Sequence, residues 1–556
     1  MIARLALPLA IVSVVLIVLF LRRRAPKPRA PWAEWPDDDR DLLSIARYAR
    51  ARVAAHQTVL LDDRTWDDLN MDDVFRVLDR AESLLGQQAL YVRLRSSPTA
   101  AHLDEFDALT TRFGLDLDGR RRAQRALARM RGVDGHDVLW LAAPGSFKSE
   151  PWHVVFPILG ATTAVTLAAS IVYPVLLFAV GIGSIASLVL RATVAPQLRT
   201  AGAAFRQVGA LLSSASQLRP LVNAEGRAIT GAIETDLPRL SRLRRIASWA
   251  GRETTGAASG DPAALIIEYL NLLFSLDGNA IYLGSREVRA RADELARVVQ
   301  SVGEIDAALS IASYRAQTGG WTRPTFREAG SRASLIGVRH PLLPGAVPNT
   351  VTLEPPHGMI ITGSNMSGKT TFLRTLGVTV QLAQTIRMCL AERYEAPPFV
   401  VRSCIGRADD PATGKSYYLV EVETVLGLVR AAESASPHLF LFDELFRGTN
   451  TVERVAAGEA VLRALLAPRP DASPAPHVVL AATHDQELVD LLRGVYAAHH
   501  FSDAVDDNGM TFDYQLREGA AHSRNAIALL KLRGAPTGLV AYASARAKQL
   551  ALRHGT

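Results

Sequence analysis

The stretch from Gly358 to Thr371, GMIITGSNMSGKTT, constrains this chain more than any other. Gly363, Gly368, Lys369 and Thr370 fit the pattern G-x-x-x-x-G-K-[ST]. The flanks fit as well, because Met359, Ile360 and Ile361 read as a short strand and Thr371 to Leu382 as a helix. Strand, glycine-rich turn and helix in that order curl backbone N–H groups inward, and the positive end of the helix adds to their field. The product is a phosphate cradle. Lys369 is placed to reach β- and γ-phosphates and the Thr370 hydroxyl to ligate Mg²⁺. Ser364, Asn365, Met366, Ser367 and Thr371 complete the candidate nucleotide-binding loop. A turn that binds nothing is the competing reading, and both flanks weigh against it.

The 556 residues allow two to four domains. A formal net charge of +7, carried mostly by arginine, suits nucleic acid, an anionic membrane surface or a solvated exterior. Cys389 and Cys404 offer neither metal spacing nor a disulfide framework, so both read as small buried hydrophobes.

Apolar residues are unevenly spread. Leu5 to Leu21 is interrupted only by Ser13 and is followed by Arg22, Arg23, Arg24, Lys27 and Arg29. Charges that come last argue for an uncleaved anchor with the rest of the chain in the cytoplasm, rather than a removed leader. Residues 1–22 are therefore expected to be a transmembrane anchor and 23–38 a Pro-rich linker. Val154 to Leu190 holds no Asp, Glu, Lys or Arg and is too long for one span. Tyr173 and Pro174 lie near its middle, so a transmembrane hairpin over 153–191 is expected, crossing fully or dipping in and out. A buried hairpin in a soluble core is the alternative.

Helical, charged segments flank this hairpin over 39–152 and 192–330. Val74, Phe75, Val77 and Leu78 mark one amphipathic face, and Leu103, Phe106 and Leu109 another. Leu295, Val298, Val299, Val302 and Ile305 recur at the spacing of a helix packed on one side. From Ser331 short apolar strands alternate with helices, so 331–556 reads as an α/β domain.

Within that domain, His438 to Phe442 is a buried-strand pattern ending in Asp443 and Glu444. Acidic residues at such a strand tip suit Mg²⁺ binding by Asp443 and activation of the attacking water by Glu444. A helix cap is the bland alternative. His477 to Ala482 is a second strand, ending in Thr483, His484 and Asp485, and a histidine there can sense a γ-phosphate. Gly414, Lys415 and Ser416, before Tyr417 to Val422, carry little by themselves.

Together these residues resemble the MutS family of DNA mismatch-repair ATPases. The resemblance rests on Gly363 to Thr370, on Ala408 through Ser416 to Glu421, on Asp443 to Thr449, and on Ala482 to His484. Arg339, His340 and Pro341 are similar to the approach to the family's ATPase domain, and Val302 to Pro324 to the end of its lever helices. Leu78 to Arg93 resembles the start of the family's core domain. The resemblance implies an ABC-type α/β P-loop ATPase domain that binds ATP and Mg²⁺ as a homodimer. It implies catalytic roles for Lys369, Glu444 and the switch histidine His484. It also implies that Asn365 positions the γ-phosphate and that Ser416 touches it across the dimer.

The chain departs from the family in several places. The mismatch-reading domain is expected to be missing, and Phe326-Arg327-Glu328, which spells that domain's wedge tripeptide beside the ATPase domain, is read as coincidence. The family's adenine-stacking aromatic falls near Ala346 or Val347, and Tyr417-Tyr418 replaces a smaller pair. An apolar hairpin interrupts the helical core where the family builds DNA-embracing arms. The expected function is a membrane-anchored MutS-like ATPase that binds DNA, in mismatch repair or recombination, at the inner membrane. The alternative is an ATP-driven membrane-remodelling or signalling protein without DNA. An ABC transporter ranks last, since its Leu-Ser-Gly-Gly-Gln signature is missing and three short spans make a poor permeation path.

Overall fold

In the computed structural model the chain is described at residues 27–34, 36, 40–56, 61–142, 151–193, 195–221, 228–250, 269–355, 357–364, 366–406, 417–434, 436–468, 474–506, 509–519, 527, 530 and 534–553. The expected anchor at 1–22 lies outside the described residues, as does most of the linker.

Chain contacts divide the protein into two units, one of residues 1–57, 78–92 and 99–317, the other of 58–77, 93–98 and 318–556. The first is helical. Helix α1 (Ala100–Leu115) starts on a Thr99 cap, whose hydroxyl accepts the His102 N–H, and buries Leu103, Phe106 and Leu109. The expected hairpin is two helices, α2 (Val155–Ala169) and α3 (Leu177–Thr193), joined through Tyr173 and a single 3₁₀ turn at Pro174–Leu176. They are followed by α4 (Ala195–Leu218).

The stripe that begins at Leu295 lies on α5 (Ala292–Gln317), where Leu295, Val298, Val299, Val302 and Ile305 are all buried. Asp306 on this helix is fully buried. Its carboxylate accepts the Ser83 hydroxyl at 2.6 Å and the N–H groups of Glu82 and Ser83 at 2.9 Å each. It thereby satisfies donors on a turn that has no secondary-structure partner of its own.

The second unit is α/β. Its main sheet runs β10 (Gly509–Glu518), β9 (Tyr496–Asp506), β4 (His357–Thr362), β8 (Val478–Ala482), β7 (His438–Asp443), β6 (Val400–Cys404). All neighbours are parallel except the β9–β10 edge. A smaller sheet, β1 (Thr325–Phe326), β5 (Arg393–Ala396), β2 (Ala333–Val338), β3 (Asn349–Leu353), takes three strands from before β4 and one from after it.

Both faces of the main sheet are covered, so its strands are near-continuous apolar runs. Alternation along β7 shows this. Phe440 and Phe442 join the cluster formed with α7 (Tyr417–Ala431), α8 (Thr451–Leu465) and α9 (Gln486–Leu491). Leu441 points the other way, to α6 (Lys369–Ile386), where its Cδ1 would lie 2.9 Å from a Cβ on Gly377.

Residues far upstream complete this unit. In the short helix Asp63–Asp68, the Asp68 carboxylate accepts the Ser403 hydroxyl and the N–H groups of Ile405 and Gly406, at 2.7 to 2.9 Å. Arg93 and Gln381 fasten residues 93–98 to α6, through Thr385 O and Leu94 O respectively.

Candidate functional site

The phosphate loop leaves β4 at Gly363, whose φ of 143° belongs to glycine territory. A Cβ there would stand 2.8 Å from Ser367 Oγ and 2.9 Å from Phe501 O, so the turn has no space for a side chain. The loop re-enters helix at Gly368, also at positive φ, and α6 begins at Lys369. The helix therefore starts two residues before the position that periodicity predicts, and its free N–H groups face the loop.

Lys369 is buried. Its Nζ donates to Gly363 O at 2.9 Å and Ser364 O at 2.8 Å. Burial lowers its pKa from the ordinary lysine value, while Asp443 and Glu444 nearby oppose that. Among the described residues, the buried hydroxyls of Ser364 and Ser367 meet no hydrogen-bond partner, as donors awaiting a ligand would be.

The strand order β4–β8–β7 separates the two motifs by one strand. The register Ile361–Ala482–Asp443 still brings the tip of β7 level with the loop. Thr370 Oγ1 donates to Asp443 Oδ2 at 2.6 Å. Burial raises the Asp443 carboxyl above its usual range, against the Thr370 hydrogen bond.

The next residue is set differently. Glu444 has φ 55° and pairs with His484 Nε2 at 2.8 Å and Arg447 at 2.5 Å. The hydrogen bond from His484 holds its carboxyl below the ordinary value. His484 Nε2 is also 3.5 Å from Lys369 Nζ. Two adjacent carboxyls are thus pushed in opposite directions by their surroundings. Beyond them, Phe446 N–H donates to buried Glu421 at 2.6 Å, which fastens α7 to the loop after Glu444.

Lys369, Thr370, Asp443 and Glu444 share one cavity of about 530 Å³, lined also by Ser364, Met366, Gly368 and Thr371. His340 is also in the wall; burial lowers its pKa to about 4, so it is neutral there. Asn365 and Ser416, the latter with all of 407–416, lie outside the described residues.

Ala346 and Val347 line the cavity as expected, and neither is aromatic. Three aromatic residues do line it: Phe372 on α6, Phe501 on β9 and Tyr514 on β10. Tyr514, at φ 55°, stands with Cδ1 3.3 Å from where a Cβ on Gly368 would be, and its backbone carbonyl accepts from Asn349. No sequence pattern marks Tyr514, because it reaches the cavity from an edge strand far along the chain.

A phosphate loop at the N-terminus of a helix, with an acidic strand tip bonded to its threonine, defines a phosphate-loop nucleotide-binding domain. Sequence comparison narrows the class. Residues 359–551 match MutS domain V. The chain is 34% identical to the DNA mismatch repair protein MutS of Thermus aquaticus, over 48% of this chain and 32% of the relative. It is 32% identical to that of Natronomonas pharaonis, over 46% and 29%, and 32% identical to that of Shouchella clausii, over 52% and 33%. The matches span about a third of these relatives and half of this chain. They support kinship with MutS for the half that carries the cavity.

Proposed function

We propose that the protein is a MutS-like ATPase that hydrolyses ATP with Mg²⁺ in a site completed by a second copy, acting on DNA from a membrane. The observation that carries this reading is the convergence of Lys369, Thr370, Asp443 and Glu444 on one cavity, with His484 Nε2 2.8 Å from Glu444 and 3.5 Å from Lys369 Nζ. The donor set fits Mg²⁺, a hard cation that needs only one or two protein oxygens besides phosphate and water. Thr370 and Asp443 would hold it, and its charge offsets that developing on the phosphoryl group.

The chain's own residues supply the rest. Lys369 exchanges two loop carbonyls for phosphate oxygens. Glu444, held ionised by His484, accepts the proton of the attacking water. His484 touches both Glu444 and Lys369, so it links nucleotide occupancy to the general base. Tyr514 offers a ring face to the base. Asn365 and Ser416 keep the roles the family resemblance implies, Ser416 across the dimer.

DNA engagement draws support from the printed function of the relatives and from the helix Leu117–Leu127. This helix exposes Arg121, Arg122 and Arg125 while burying Ala123, Ala126 and Leu127. Such a face neutralises phosphates without reading sequence. Membrane attachment draws support from the apolar run 5–21 and from two helices, Trp152–Ala169 and Pro174–Thr193, whose length and composition suit a bilayer. The exposed hairpin also favours a second reading, an ATP-driven membrane protein without DNA.

The experiment that separates the two is the ATPase rate and DNA binding of the detergent-solubilised protein, with duplex and branched DNA at stepped salt. Binding that weakens steeply with salt, with a stimulated rate, is expected. No binding even at low salt removes the DNA reading.

A further inference from the structure

The α2–α3 hairpin has two halves that its uniform apolar sequence does not distinguish. At its open end the helices belong to the core of their unit. Phe156 is fully buried, a Cβ on Gly160 would stand 2.5 Å from Phe274 O, and Ser187 Oγ lies 2.6 Å from Ser275 Oγ. Thr163 and Val180 are the last buried residues on the two arms.

Between them, from Ala164 to Ala179, no residue is buried and none is Asp, Glu, Lys, Arg, His, Asn or Gln. Ile171 is 84% exposed and Phe178 79%, with Val165, Val172 and Val175 close behind. The hydroxyls of Thr166 and Ser170 bond back to Thr162 O and Leu167 O, so the arms present few unmet polar groups. A helix apolar on every side is stable only in a protein core or in lipid, and among the described residues no element covers this one.

The turn decides how far it goes. A crossing hairpin would deliver Ile171 and Val172 to water on the far side, and burying such side chains is worth roughly 1.5–3 kcal/mol each. The reach decides the same way. From Gly160, the last close packing point against Phe274, to Ser170, the arm rises ~15 Å at ~1.5 Å per residue. That is half of a ~30 Å hydrocarbon core.

We propose that the distal half of the hairpin enters one leaflet and turns inside the hydrocarbon, so the chain leaves on the side it came from without crossing. This inference rests on the membrane reading above and sets its depth.

The test uses the full chain reconstituted in phosphatidylcholine–phosphatidylglycerol vesicles with the ATPase unit outward. Val172→Cys is probed with a membrane-impermeant maleimide added outside or trapped inside. Leu115→Cys, at a position 83% exposed on α1, is the labelled control. The unsubstituted protein, whose Cys389 and Cys404 are buried, gives the background. A nitrobenzoxadiazole label on the thiol of the Val172→Cys variant is then quenched with lipids carrying doxyl groups at different chain depths.

The expected result is no labelling from either side before detergent, full labelling after it, and strongest quenching by mid-chain doxyl. Labelling from the lumen means a crossing and overturns the proposal. Labelling from outside with the protein still in the vesicles places the tip in water and overturns it as well. Protection without quenching assigns the tip to a second copy and also overturns it. Failure of the protein to enter vesicles at all overturns the membrane reading itself.

Discussion

The nucleotide cavity and the hairpin tip handle polarity in opposite ways. In the cavity, burial falls on charge: Lys369 is buried and Asp443 half-buried, held by loop carbonyls and by Thr370 respectively. At the tip, exposure falls on apolar side chains, Ile171 and Phe178 foremost. Each arrangement is costly unless something external completes it, a phosphate in one case and acyl chains in the other. Incompleteness of this kind locates function more sharply than the well-satisfied parts of the structure, such as the Asp306 cluster.

Lys369→Ala breaks the polar half of the comparison most severely. Loss of a charge-assisted contact worth roughly 1.5–3 kcal/mol corresponds to at least tenfold weaker nucleotide binding, readable by titration with a fluorescent ATP analogue. Unchanged affinity would mean that the cavity is not the nucleotide site.

Asp306→Ala tests the contrasting satisfied cluster. It strands the Ser83 hydroxyl and two N–H groups in the core and is expected to cost about 3 kcal/mol in denaturant unfolding of the helical unit, with nucleotide affinity unaltered. The pH dependence of that unit sharpens the point. Burial pushes Asp306 up to about 7, so folding favours the protonated acid. Its contribution is fully present below the usual carboxylate range and is lost as pH rises through about 7. Unfolding midpoints should fall over that interval, and Asp306→Asn should flatten the trend.

The smallest effect belongs to the basic helix. Replacing Arg121, Arg122 and Arg125 by Ala should make the salt dependence of DNA binding shallower by about 2–3 units of slope, with ATP affinity unchanged.

The sequence carries local features well. The strand at Met359 to Ile361, the phosphate loop and the acidic tip at Asp443 are all written in contiguous residues whose chemistry and periodicity agree. The hairpin was legible for the same reason, since a charge-free run broken by Tyr173 and Pro174 has few ways to fold. What escaped was carried by contacts across hundreds of residues. Asp68 secures Ser403 to Gly406, and residues 58–77 belong with the α/β unit, yet neither has a periodic signature. Tyr514 arrives on an edge strand, in a place where the family resemblance directs attention to Ala346 and Val347. Burial within the hairpin was equally hidden, because Phe156 and Phe178 are alike in composition and opposite in exposure.

The central claim is that Glu444, beside Lys369, Thr370 and Asp443, activates water on one magnesium nucleotide. Glu444→Gln keeps the side chain's shape and removes the base, so Mg-ATP binding and single-turnover hydrolysis measured on the same preparation test the claim most directly. Binding within about twofold of the unsubstituted protein, with hydrolysis slowed by roughly 10²–10⁴, is the predicted result. Turnover at the unsubstituted rate would contradict it.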